Sequence, residues 1–374
     1  MEKPKFGKTD CLALEWCKFF SDMLYQYFGD DFDPMVASRI CAADVTQEEL
    51  DKIIKKYPTL PQLIESRKNV KSAIEDFDCF TMMMSWGKNK QVYKFDRDFT
   101  NELMKTDNLR FTKNMFDFLP HKYLYIDISD NKELCESLYA KGFFVKVEKI
   151  PKSIDSRICK TANISERIKN CDKWCFHICR ISETQYSYDV LFLPNTDESI
   201  DAKDLIKESK VRYVINPLNN KDKSTYIDFD VELLHKVVQH TVTYLTSDKQ
   251  DIKESELTKR TYKEPSKTLK RPKDKFSEVK TWDVGVRYGD AFRKWKSEEP
   301  KYRSVSTGTG RKVRPHSRMA HYNYYWYGKR NSENRVLRRV WIDELFINVD
   351  KDKTEDLPVV IHKVKNDKSN IERD

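Results

Sequence analysis

Glycine is scarce in this chain, 9 residues in 374. That is too little for a collagen-like or Gly/Ser-linker architecture, or for one dominated by nucleotide-cradling loops. No Walker-type loop, paired Gly-x-Gly cradle or H-E-x-x-H sequence is present, which argues against a motif-defined ATPase, dehydrogenase or zincin. No cofactor is therefore expected. No run approaches the roughly 18 apolar residues that cross a bilayer, so no membrane association is expected. The opening Met1-Glu2-Lys3-Pro4-Lys5 is charged and no apolar segment follows it, so no secretory signal is expected. The nine cysteines are odd in number and irregularly spaced, the pattern of reduced cytoplasmic thiols rather than of a disulfide framework. Aromatics, by contrast, are abundant: 19 Tyr, 20 Phe and 7 Trp. A disordered polyampholyte lacks such residues, so an ordinary buried core is expected.

The patterning along the chain predicts an α+β protein. Residues 1–118 read as a helical N-terminal part. Asp10 can cap a segment carrying Leu12, Trp16, Phe19, Phe20, Met23 and Tyr27 at helical spacing, and Thr46 with Glu49 forms a capping box. A further helix is expected over Leu63 to Met84. Residues 119–246 read as mixed α/β. Strands are predicted at Lys122–Ser129, Phe143–Ile150, Lys173–Ile181 and Tyr186–Leu193, and helices at Asn131–Ala140 and Val231–Leu245. Residues 247–300 read as a charged linker with a short helix, 301–349 as a basic β-hairpin module, and 350–374 as a flexible charged tail.

Charge is distributed unevenly. The chain carries 69 Lys+Arg against 60 Asp+Glu, a net charge of +9. Between Lys301 and Val340 there are eleven basic residues and one acid, Glu333, so this stretch alone is +10 and the remainder sums to about −1. Within it, strand alternation places His321, Asn323, Tyr325 and Tyr327 on one face and Ala320, Tyr322, Tyr324 and Trp326 on the other. Residues Gly328 to Asn334 supply a turn and Arg335–Ile342 a return strand. A cationic hairpin with interleaved aromatics suits single-stranded RNA: Lys and Arg meet phosphates, and rings stack on bases at about 1–3 kcal/mol each. The candidate RNA-binding residues are Arg311, Lys312, Arg314, His316, Arg318, His321, Tyr325, Trp326, Lys329, Arg330 and Arg338.

Two further constellations carry weaker signals. His316 and His321 could act as an acid/base pair for metal-independent RNA cleavage, with Arg314 and Arg318 beside them. Cys171, Cys175, His177 and Cys179 offer metal-ligating types in a C-x3-C-x-H-x-C spacing that matches no standard zinc site. On a strand, Cys175, His177 and Cys179 share one face and Trp174, Phe176 and Ile178 the other. Neither a catalytic nor a metal assignment is made on this basis.

The stretch Arg314-Pro315-His316-Ser317-Arg318-Met319-Ala320-His321, followed by Tyr325-Trp326-Tyr327-Gly328, resembles the R-P-H-x-R-x-x-H…Y-W-x-G signature of a mobile-element family. Its best-known members are type V-A anti-CRISPR proteins. Arg338-Arg339-Val340-Trp341 to Phe346-Ile347-Asn348 is similar to that family's closing strands. Leu119-Pro120 with Tyr123–Ser129, and Val284-Gly285-Val286-Arg287-Tyr288-Gly289, resemble two of its upstream segments. The resemblance implies a phage- or plasmid-encoded anti-defence protein acting in the cytoplasm of a bacterial host. It implies recognition of a nascent target polypeptide, the CRISPR effector nuclease being the candidate, and translation-dependent lowering of that target's mRNA. The basic tail would meet RNA or the ribosome, and a host nuclease is a candidate further partner. Asn323 stands where the family frequently has histidine and cannot relay a proton, so the resemblance implies binding more than catalysis. The alternatives are a metal-independent RNase using His316 and His321, and a direct protein inhibitor of a CRISPR nuclease.

Overall fold

In a computed structural model, the structure describes residues 11–18, 46–58, 79, 82–106, 109–111, 113–152, 163–164, 170–183, 186–195, 200–201, 209–215, 229–248, 250–255, 279–298, 305–306, 312–313, 316–318, 320–329, 335–342 and 345–347. Its frame is a nine-stranded mixed sheet. In chain order the strands are β1 (Gln91–Phe95), β2 (Tyr123–Asp127), β3 (Gly142–Ile150), β4 (Asn163–Ile164), β5 (Lys173–Ile181), β6 (Tyr186–Pro194), β7 (Ser209–Ile215), β8 (Ile252–Glu254) and β9 (Lys280–Val284). Across the sheet they run β8-β9-β1-β2-β3-β5-β6-β7-β4. Strands β9, β1 and β2 are parallel, and every other neighbouring pair is antiparallel. The α+β class expected from the sequence is the class observed.

The helices form where caps and apolar stripes coincide. Helix α1 (Gln47–Lys56) starts at the Thr46–Glu49 capping box. Asp96 caps α2 (Arg97–Lys105), accepting from the amides of Asp98 and Phe99. Asn131 caps α3 (Lys132–Leu138), which ends at Tyr139 in the left-handed region. Asp230 caps α4 (Val231–Tyr244). Helix α5 (Val286–Glu298) begins after Gly285, whose φ is +73°. Residues 12–18 and 82–86 are also helical. The remainder of the two N-terminal helices expected from the sequence, including Asp10, Phe19 to Tyr27 and most of 63–84, lies outside the described residues.

The sheet is covered on both faces, so β5 and β6 are buried along their whole length. Their period-2 alternation sorts them between two cores. Trp174, Phe176, Ile178, Leu191 and Leu193 pack with α2, α4 and the C-terminal strands. Cys175, Cys179, Ile181, Tyr188 and Phe192 pack beneath Trp16, Tyr57, Met82, Met83 and Trp86 of the N-terminal segments. Each such buried side chain contributes about 1.5–3 kcal/mol of transfer free energy.

The region 247–300, expected as a charged linker with a short helix, also supplies two strands of the sheet. β8 and β9 lie there, and β9 inserts between β8 and β1. The sequence of β9, Lys280-Thr281-Trp282-Asp283-Val284, is short and mostly polar. Its partner β1 lies far upstream, so no local pattern marks either strand. Helix α5 is longer than expected and docks on α2. Gly285 and Gly289 permit that approach: a Cβ at Gly285 would fall 2.2 Å from the Phe99 ring, and one at Gly289 would fall 2.1 Å from Asp96 Oδ1. Arg293 then reaches Asp96 Oδ2 at 3.0 Å and Asp98 Oδ2 at 2.6 Å. Burial alone would raise the Asp98 carboxyl, but hydrogen bonds and charge from Arg97 and Arg293 hold it below the ordinary range. The glycines near Val284 thus serve helix packing.

Candidate nucleic-acid interface

Among the described residues, α5 is followed by the two-residue strands Val305–Ser306 and Lys312–Val313 and then by β10 (His316–Arg318), β11 (His321–Tyr327), β12 (Val336–Ile342) and β13 (Leu345–Ile347). β11 pairs antiparallel with β12, His321 opposite Ile342 and Tyr327 opposite Val336, and β10 pairs with β13. The hairpin predicted from the basic stretch is therefore present, with the face alternation its sequence implies.

Its root is part of the core. Tyr322 and Trp341 are cross-strand partners with ring centroids 4.9 Å apart, and both are buried. Trp341 also meets the rings of Phe99, at 5.7 Å, and Tyr244, at 5.9 Å. Burial pushes the Tyr322 phenol well above its usual pKa. Tyr324 is fixed by its hydroxyl, which accepts from the Arg110 amide at 2.8 Å. Arg339 is buried too. Its guanidinium donates to Thr246 Oγ1, and desolvation lowers its pKa. Its carbonyl accepts from the Asp248 amide at 2.8 Å. One of the eleven basic residues of the tail is thus spent inside the protein.

The tip is outside the core. Tyr325, Trp326 and Tyr327 are 43%, 55% and 46% exposed, and Lys329 is exposed beside them. The Arg335 guanidinium stacks over Trp326, 4.7 Å from the ring centroid, and Arg338 over Tyr327 at 4.9 Å. These contacts hold cations and rings together with their outer faces accessible. Arg338 is about half exposed and sits 3.9 Å from Asp248, a loose pair that an incoming phosphate can displace. Below it opens a cavity of about 250 Å³ lined by Lys113, Met115, Phe118, Thr246, Asp248 and Arg338. Phe118 is 58% exposed.

The structure brings together Tyr325, Trp326, Lys329 and Arg338 of the expected RNA-binding set, and sets His321 half-buried at the hairpin root. Lys312 lies in a two-residue strand paired with Val305–Ser306, and His316 and Arg318 lie on β10; these three are placed by backbone alone. Arg311, Arg314 and Arg330 lie outside the described residues. Sequence reasoning missed Arg335 and Phe118 as members of the surface. Arg335, the first residue after the turn, joins the tip through its contact with Trp326, and Phe118, about two hundred positions upstream, comes beside Arg338 only through tertiary contact.

The cysteine–histidine stretch lies elsewhere, on β5 beneath the N-terminal helices. Cys175 and His177 share a face with Cys179, and Cys171 precedes the strand. The residue that completes the group is Glu148 of β3, directly opposite Cys175 in register.

A family model, AcrVA2-like, described as the anti-CRISPR type V subtype A2 family, matches residues 93–348. The chain belongs to the anti-CRISPR type V subtype A2 family. The match begins in β1 and ends just past β13, so it spans the sheet, α2 to α5 and the hairpin. The N-terminal helices that cover the second face of the sheet lie before it. The resemblance read in Arg314–Gly328 and in the two upstream segments falls entirely within the matched span. No curated protein matches the chain. Membership carries an anti-CRISPR role, and with it a partner among the components of a CRISPR system. Among the described residues, no helix of this anti-CRISPR protein is long and apolar enough to cross a membrane.

Proposed function

We propose that this anti-CRISPR protein recognises a nascent target polypeptide and lowers its mRNA in a translation-dependent way, with the hairpin tip contacting RNA or the ribosome. The observation that supports the RNA or ribosome contact is the division within one hairpin. The Tyr322–Trp341 root is locked into the core, whereas Tyr325, Trp326 and Tyr327 stand exposed with Arg335 and Arg338 stacked on two of them. Exposing three large rings has no folding benefit, and rings flanked by cations are the surface that unpaired bases and phosphates fit. The near-neutral body remains available for the peptide.

The test is a pull-down from actively translating bacterial cells, with and without puromycin, followed by sequencing of the recovered RNA. One enriched transcript that disappears with puromycin is expected, and its recovery should fall in Trp326→Ala and in Arg338→Ala. Broad RNA recovery insensitive to puromycin would show direct RNA binding without nascent-chain targeting. Recovery of a folded effector nuclease without RNA would show direct inhibition instead.

A further inference from the structure

We propose that Glu148, Cys175 and His177 form a binding site for a divalent cation of the zinc type, at the sheet face beneath the N-terminal helices. The ligand atoms of the three residues lie within 4.8 Å of one another. His177 Nε2 is the hub, 2.6 Å from Glu148 Oε1 and 3.3 Å from Cys175 Sγ.

The sheet register produces this convergence. Cys175 and His177 are two apart on β5 and so point to the same side, and Glu148 faces Cys175 across the β3–β5 pair. Two ligands from one strand and a third from its neighbour enclose a point above the sheet. Ligands from one strand alone could not do so.

The Cys175–His177 separation suits a tetrahedral ion. A sulfur at about 2.3 Å and a nitrogen at about 2.0–2.1 Å from zinc lie about 3.5 Å apart, close to the separation between Cys175 and His177. The nitrogen–oxygen separation needs to open to roughly 3.4 Å, a withdrawal of about 0.8 Å by the Glu148 carboxylate. Glu148 is the most exposed of the three, with 28% side-chain exposure against 5% for His177.

The outer contacts suit the ion as well. The Tyr188 hydroxyl bonds His177 Nδ1, which fixes the ring and leaves Nε2 for the metal. Lys146 Nζ holds the other Glu148 oxygen, Oε2, at 2.7 Å, so Oε1 is the oxygen presented. A thiolate, an imidazole and a carboxylate together select a borderline ion over magnesium or calcium, which prefer oxygen alone. Binding requires the Cys175 thiol to lose its proton to solvent. Metal binding takes the His177 ring with Nε2 unprotonated and its proton on Nδ1, donated to the Tyr188 hydroxyl. Ion binding is therefore accompanied by proton release.

The experiment uses the full chain, purified under reducing conditions, stripped with a chelator and titrated with Co(II). One equivalent is expected to give a thiolate-to-cobalt charge-transfer band with the ligand-field bands of a four-coordinate site, three ligands from the protein and one water, and Zn(II) should abolish both. Glu148→Gln, which keeps the shape and a hydrogen-bonding partner for His177, should weaken binding at least tenfold. Cys175→Ser, checked for folding by circular dichroism, should lose the charge-transfer band, and Cys135→Ser should retain it. Absence of any band together with absence of retained zinc by elemental analysis overturns the proposal. A band that persists in folded Cys175→Ser overturns it as well, by placing the metal on other cysteines.

Discussion

Gly285 and Arg293 secure the same joint between α2 and α5, one by omitting atoms and the other by supplying charge. At Gly285 a methyl group would meet the Phe99 ring at 2.2 Å, on a backbone whose φ of +73° disfavours any L side chain. Gly285→Ala should therefore cost roughly 2 kcal/mol or more, read as a lowered urea midpoint. Arg293→Met should cost about 1–3 kcal/mol at neutral pH by leaving Asp96 and Asp98 without their cation, toward the lower end because Arg293 is 40% exposed. The sign of the pH effect follows from Asp98. Its carboxyl is held below its ordinary value of 3.8 in the folded protein, so its contribution is present above that pH and is lost as pH falls below it. The stability difference between Arg293→Met and the unaltered protein should narrow as the pH is lowered below about 3.8. Equal differences at pH 7 and pH 3 would show that the pair has no electrostatic part.

At the scale of elements, the hairpin divides into a buried root and an exposed tip, the proposed RNA-binding surface, and two tryptophans on one face report them separately. Trp341→Ala removes a ring packed against Tyr322, Phe99 and Tyr244 and should destabilise by about 3–5 kcal/mol. Trp326→Ala, at a side chain more than half exposed, should stay within about 0.5 kcal/mol in stability while weakening single-stranded RNA binding by about 1–3 kcal/mol. Thermal melting and fluorescence anisotropy would show the two effects separately. Much of this element was legible beforehand, because alternation in Tyr322–Trp326 is a local signal and the turn lies between the strands. The same holds for β5, β6 and α4, each with its own periodicity. Strands β1 and β9 were not legible, since each is stabilised by a partner almost two hundred residues away. Arg339 shows the limit of charge counting: composition registers a cation, and only the fold shows that Thr246 and Asp248 hold it inside. Glu148 was missed for a related reason, because cross-strand neighbours depend on register, which no single strand specifies.

For the whole molecule, charge and apolar surface have separate tasks. RNA affinity should fall with added salt, and Arg338→Ala or Lys329→Ala should each reduce the slope of log K against log salt by about 0.7, the value for one phosphate on a single strand. Unchanged slopes in both variants would remove the tip from the RNA-binding surface. The N-terminal segments lie outside the family match yet cover Val92, Tyr125, Phe144 and Phe192. A fragment limited to residues 93–348 should therefore bind a hydrophobic dye and self-associate, as light scattering would detect. The placement of β9 also sets an order of events during synthesis. One side of β1 pairs with β2 soon after both emerge, but its other side waits for residues 280–284. At roughly 5–20 residues per second, that wait is about 10–40 s on the ribosome. Throughout it, β1 presents an open row of amides and carbonyls. The anti-CRISPR protein thus completes its own sheet only once residues 280–284 have been made, and a chain stalled before residue 280 should stay a substrate for chaperones and proteases.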